Sequence, residues 1–494
     1  MTTKTSTLSR IAEAVWPIKR SELKKFLPMA GMIFAILFNY TLLRNMKDTL
    51  VVNAAGAGAI TFLKLYCVTP AALLFVVLYM KLSSIFSRET LFYVIITPFL
   101  VFFLAFAFII YPNVDAFHPS VESIQALYNS YPAMQGFIDI YAYWSYSLFY
   151  VLAEIWGSVG LALLFWGFAN QVVSMEQSKR FYALFIALGN IALIVCGQLA
   201  SFLANGVKTM LPEGADLWKF SVTVQMVAVG VMGVVAMALY KFLHIAVLPY
   251  ESNEPKGEKK EKKKKPGLAE SFKIVLQSKH LGLIAALVIC YGISINLVEV
   301  QWKNQVKIYY SGDKTAFNAF MNSYSQWTGI ISIVFGWVAG TGLLKKLSWT
   351  AAALITPLVV VVGGGIFFVA VCSGKIILSM NMNPAMVATF AGAVVVIASK
   401  VVKYALFDST KNMAYIPLDK DLQQKGQPAV EVVGGRFGKA GGALAQSMLL
   451  MIMATKNILD IAPIAAVIFI VICVLWTYAV KGLGSKMKDV ESKK

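Results

Sequence analysis

Charge is what this 494-residue sequence has least of. Asp, Glu, Lys and Arg together make up 14% of it, where a soluble domain carries about a quarter. That is too little to coat a globule of this length. With 58% hydrophobic residues and a mean hydropathy of +0.68, the chain reads as one whose solvent is lipid. Histidine is nearly missing: three residues, not clustered, which leaves no transition-metal site to expect. The five cysteines (Cys67, Cys196, Cys290, Cys372 and Cys473) stand in or beside apolar runs without a Cys-x-x-Cys pair. They read as small buried hydrophobes. Nothing in the sequence asks for a cofactor. A secretory leader is not expected either, because residues 1–25 are polar and the next run lacks a small-residue cleavage pattern.

What the chain does have is apolar runs of spanning length. They cover 26–43, 62–80, 91–111, 141–169, 181–204 and 220–249, then 281–298, 317–344, 350–371, 384–406, 441–455 and 461–480. A helix needs about 20 residues to cross the hydrocarbon; the run at 441–455 is short and is expected to begin earlier, near Val433. A membrane β-barrel would alternate polar and apolar residues in segments of about ten. The run FLVFFLAFAFII at 99–110 does not alternate. The expected class is an all-α polytopic membrane protein of about 12 transmembrane helices.

The formal net charge of +19 would suit nucleic acid if the cations shared one face, but they do not. Lys and Arg gather near the N-terminus (Arg10, Lys19, Arg20, Lys24, Lys25), at the tail, and in the segment YESNEPKGEKKEKKKKPG at 250–267. The connection 112–140 has none, yet carries Asp115, Glu122 and Asp139. This is the positive-inside distribution. It puts both termini and the central segment in the cytoplasm, the 112–140 connection outside, and no nucleic acid among the partners. The central segment cannot bury anything. It divides the chain into an N-terminal six-helix bundle (1–249), a basic linker (250–280) and a C-terminal six-helix bundle (281–494). Two repeated bundles suit a transporter with its site near mid-membrane between them. A small surface helix is expected around 123–129, and ordered interfacial helices over 408–426.

Ionised groups inside apolar spans cost about 2.5–3.5 kcal/mol each on insertion scales, so they mark water, a counter-ion or a charged solute. Arg44, Lys47 and Asp48 interrupt the first span. They form either a cation site on the transport path or a helix end with snorkelling cations, and Arg44 and Asp48 are spaced to pair. Glu154 is the lone charge between Asp139 and Glu176. With Tyr143, Tyr146 and Tyr150 it makes a polar-aromatic stripe that either stacks a planar ring or packs. Glu299 has Lys303 four residues on, so a local pair competes with a cavity role. Arg436 and Lys439 stand among five glycines in EVVGGRFGKAGGALAQS. Two cations beside open backbone donors suit phosphate oxygens. The phosphate-cradling G-x-x-x-x-G-K-[ST] frame is absent, since Ala440 follows Lys439, so ATP hydrolysis is not expected. Lys400 and Lys403 either snorkel or join the site.

At these residues the sequence resembles the ATP/ADP translocase family of obligate intracellular bacteria and plastids. The resemblance runs through LRNMKDTLVV (43–52), AEIWGS (153–158), FANQVVSMEQSKRFYALF (168–185), VEVQWKNQV (298–306), KYALFDSTKNMAYIPLD (403–419) and GRFGKAGGA (435–443). It implies a fold similar to the major facilitator type and an antiporter, not an enzyme, that exchanges ADP with phosphate for external ATP. A monomer in a bacterial inner membrane is expected, chlamydia-like in source. The family's charged tetrad falls on Lys47, Glu154, Glu299 and Lys439. Arg44, Arg436 and Lys303 are expected beside it, with Tyr146 and Tyr150 holding the base. Proton-coupled importers of several nucleotides and an NAD/ADP exchanger belong to the same family, and both remain open on the sequence.

Overall fold

The computed structural model describes residues 18–207, 210–247, 273, 276–338, 347–418 and 420–491. Most of the 250–280 linker lies outside them. Six long helices form the first half: α1 Arg20–Ala55, α2 Ala59–Ile85, α3 Glu89–Phe117, α6 Trp144–Val172, α7 Glu176–Gly206 and α8 Leu217–Ala246. Between α3 and α6 lie the short helices α4 Val121–Ser130 and α5 Gln135–Ala142, the first where a surface helix was expected. The second half comprises α9 Lys279–Tyr309, α10 Lys314–Val338, α11 Trp349–Cys372, α12 Pro384–Met413, α13 Lys420–Ile452 and α14 Ala462–Met487.

The helices begin where polar residues can cap them. The Ser120, Ser174, Asp216, Ser278 and Ser348 side chains accept the amides of Ser123, Gln177, Lys219, Leu281 and Ala351. Asn383 caps α12 ahead of Pro384, a residue preorganised for a first turn. Among the described residues ten helices are long and apolar enough to cross a membrane. Of the twelve runs expected, α10 and α13 fall short in apolarity, not in length. Their polar groups point inward: Asn318, Asn322, Ser325 and Thr328 on α10 and Gln446 and Ser447 on α13 are buried. The bundle's outer surface shows the converse, with Val234, Ile366, Val394, Val467 and Val474 more than half exposed, as lipid contact requires. Cys372 is exposed there and Cys67 half-buried, while Cys196, Cys290 and Cys473 are buried as expected.

α1 packs against α6, α7 and α8, and α9 against α12, α13 and α14. The halves meet chiefly along α7 and α10, with α1 beside α10. That seam is close because glycine lines it: a Cβ on Gly197 would lie 2.3 Å from the Gln326 amide oxygen, and one on Gly329 3.1 Å from Leu193. α1 starts and α14 ends at one end of the bundle, called here the terminal end. At the opposite, far end, Lys456 sits 4.4 Å over the Tyr128 ring and Gln135 donates to the Ala454 carbonyl at 3.4 Å. The α4–α5 cap of the first half is thereby fastened to the second. The named contacts at the terminal end stay within a half: Arg180 on Glu22 at 2.7 Å, and His280 to the Ala414 carbonyl at 2.6 Å.

Candidate functional site

Two helices that correspond in the two halves, α6 and α12, each widen to a π-type turn mid-course, at Gly157–Phe165 and Lys403–Phe407. Such turns open a helix locally and recur at functional sites. Both face a cavity of about 790 Å³, within the range of small-molecule sites. α1 lines it from Ile33 through Tyr40 to Arg44, so it extends from mid-bundle toward the terminal end. Its two walls differ. On the first half stand Ile33, Leu37, Leu161, Trp166, Ile186 and Leu193, with Thr41, Arg44, Glu154, Ser158 and Asn190 as the polar groups among them. Opposite are Tyr324, Thr328 and Ser332 of α10, Lys400, Tyr404 and Asp408 of α12, and Lys439 of α13.

The ionised groups are arranged in two tiers. Glu299 Oε1 accepts from Lys400 Nζ at 3.0 Å and faces Arg44 Nη2 at 3.6 Å, the latter across the halves. Tyr324, from α10, shares both cations: its hydroxyl accepts from Lys400 and from Arg44. Next along α1, away from the cavity, Asp48 is 1% exposed and uses both oxygens, Oδ1 to Lys47 at 2.9 Å and Oδ2 to Lys303 at 2.8 Å. Lys47 also rests 3.8 Å over the Tyr150 ring. The local pairs that sequence spacing allows, Arg44 with Asp48 and Glu299 with Lys303, give way to these longer-range ones. Asp48, Lys303, Glu299 and Lys400 are buried against other helices that bring a partner closer than the next turn does, while Arg44 stays partly open to the cavity. Lys400 is likewise buried and paired, not snorkelling.

Of the residues anticipated, Arg44, Glu154 and Lys439 line the cavity. Lys47, Glu299 and Lys303 sit in the ion network beside it, with Tyr150 beneath Lys47. Glu154 and Lys439 have no salt bridge among the described residues; Lys439 is exposed to the cavity and Glu154 half-buried. Lys47, Lys439 and Lys64 all act on Glu154 electrostatically. Tyr146 packs away from the cavity against Phe106, Tyr111 and His118. The side chain of Arg436 lies outside the described part. Asp48 and Lys400 carry the central pairing, where the sequence leaves Lys400 between snorkelling and the site and gives Asp48 only a pairing with Arg44. Their signal was present, as charges deep in apolar runs. Tyr324, Trp166 and Asn190 carried none, being ordinary residues until folding brings them to one cavity.

Solved structures with this chain trace include a nucleoside transporter, NupG, with a TM-score of 0.54 at 11% identity over 93% of this chain and 99% of that one. A bacterial homologue of the iron transporter ferroportin in an inward-facing state also scores 0.54, at 13% identity over 93% and 100%. At 11–13% identity the likeness is one of fold: two sets of six long helices around a central cavity, the fold class of these solved transporters. Within that class the chain belongs to the TLC ATP/ADP transporter family, whose model matches residues 1–487. It is 43% identical to ADP,ATP carrier protein 1 of Rickettsia bellii, over 97% of this chain and 96% of that one. It is 42% identical to ADP,ATP carrier protein 1 of Chlamydia pneumoniae, over 96% and 93%.

Proposed function

We propose that the protein imports ATP in exchange for ADP and phosphate by alternating access. The cavity that carries this reading sets three cations, Arg44 of the first half and Lys400 and Lys439 of the second, beside a largely apolar stretch of first-half wall. Nucleotide phosphates suit Arg44, Lys400 and Lys439, since each is a charge-assisted donor in a partly dehydrated site. The base suits the wall of Leu37, Leu161 and Ile186, with Trp166 as a stacking face and Asn190 as a hydrogen-bonding edge. The cation distribution supports a terminal end in the cytoplasm of a bacterium, across its inner membrane, and with it an inward-facing arrangement. One chain supplies both walls, which supports a monomeric working unit among membrane lipids.

The test is uptake of labelled ATP by vesicles holding the purified protein and loaded with ADP. Lys439→Gln is expected to lower exchange at least tenfold, as loss of one charged contact of about 1.5–3 kcal/mol implies. Near-normal exchange by that variant would sink the phosphate assignment. Glu154, unpaired in the cavity, favours a second reading in which it carries a proton during net import. Uptake driven by a pH gradient into vesicles without internal nucleotide would support that reading over exchange.

A further inference from the structure

Asp48 borders the cavity without lining it. Its carboxylate is buried and shared between Lys47 of its own helix and Lys303 of the other half, at 2.9 and 2.8 Å. At its own level, from one turn before it to the residue after it, α1 is sewn to α10. Asn45 donates to Asn322 at 2.9 Å and to Ser325 at 3.1 Å, and Asn318 donates to Thr49 at 3.0 Å. Asp48 therefore stands at the roof of the cavity, in the first contacts that must part if the halves are to open at the far end. Lys47 and Lys303, which it holds together, do not line the cavity.

We infer that Asp48 is the residue that makes exchange obligatory, acting as a resident stand-in for a substrate phosphate. The inference rests on the exchange reading above. Separating the halves at the roof pulls Lys303 from Asp48 in a dry interior, where a buried charge left without its partner is strongly unfavourable. An empty carrier meets that penalty in full and stays shut. A nucleotide in the cavity supplies phosphate oxygens from below, and these replace the carboxylate on Lys47 and Lys303 as the bridge parts. The Glu299 tier behaves alike, holding Arg44 and Lys400 until substrate arrives. The Asp48 tier lies nearer the closed roof, so it decides whether an unloaded molecule can turn. Asp48 positions Lys47 and Lys303 and does not itself contact the nucleotide.

The experiment uses the full-length protein in vesicles, with labelled ATP as the probe, and compares uptake with and without internal ADP. For the unaltered protein, uptake is expected to depend on internal ADP by tenfold or more. Asp48→Asn leaves two like charges facing each other without a counter-charge, and the ADP dependence is expected to fall at least threefold through a rise in uptake by empty vesicles. Asp48→Glu is expected to restore it. The charge swap Asp48→Lys with Lys303→Asp, which rebuilds the bridge in reverse, is expected to recover it in part. Strict ADP dependence in Asp48→Asn with exchange still measurable would overturn the lock. So would a swapped protein that binds ATP by thermal shift but shows no recovery where Asp48→Asn does not fold. Absence of ADP-dependent uptake by the unaltered protein would instead remove the exchange reading itself.

Discussion

At the scale of single residues, burial decides more than type. Asp139, on the far-end cap, is 2% exposed and accepts a hydrogen bond from Tyr128. Burial pushes its carboxyl up to about 6, although the Tyr128 bond and the nearby Lys456 and Lys307 pull the other way. Folded protein therefore keeps a proton that the unfolded chain has already lost between about pH 4 and pH 6. The stability this group adds is complete below the unfolded value and is lost as pH rises through about 6. The melting temperature should accordingly fall by a few degrees more between about pH 5 and pH 8 in the unaltered protein than in Asp139→Asn. Equal changes in the two proteins would remove the carboxyl from the account. Sequence reading singled out lone charges in apolar runs, and that sufficed for Arg44, Glu154 and Lys439. It did not reveal which charge meets which, because Asp48 with Lys303 and Glu299 with Lys400 are tertiary pairs that helical spacing cannot anticipate.

At the scale of helices, the backbone approach of α9 and α13 is as specific as any ion pair. A Cβ on Gly292 would lie 2.7 Å from the Gly438 Cα, whereas one on Gly365 meets nothing within 4 Å. Gly292→Ala should destabilise the protein by about 1–3 kcal/mol, and Gly365→Ala should be neutral or slightly stabilising. Thermal unfolding in one detergent tests the pair; equal melting points would deny the close crossing. Helix positions were legible from hydropathy except for α13. Expected to start near Val433, it runs from Lys420, because its polar first turns belong to the same rod as its apolar end. Polarity masked the length: only the folded bundle supplies the neighbours that make a polar helix tolerable.

At the scale of the whole molecule, two halves enclose one charged space, and binding there should stabilise the assembly. A ligand at about a hundred times its dissociation constant adds roughly 2.7 kcal/mol. Saturating ATP should therefore raise the melting temperature, and Lys439→Gln should reduce that rise at the same ATP concentration. An undiminished rise would place the phosphates elsewhere. The spacing of apolar runs anticipates the long helices that the structure places before and after the basic segment at 250–267. The wall chemistry was not legible, since Leu37, Trp166 and Asn190 on one side and Tyr324 and Tyr404 on the other are drawn from five helices distant in sequence.

The paired wide turns in α6 and α12 carry a mechanical consequence. Each loosens one rod where its backbone hydrogen bonds run to a more distant partner. The portions on either side of that slack can rotate by different amounts while remaining one continuous helix. Motion of the halves need not, then, be that of two stiff blocks: the inner ends of α6 and α12 have the means to fold inward over a bound nucleotide before the roof gives way.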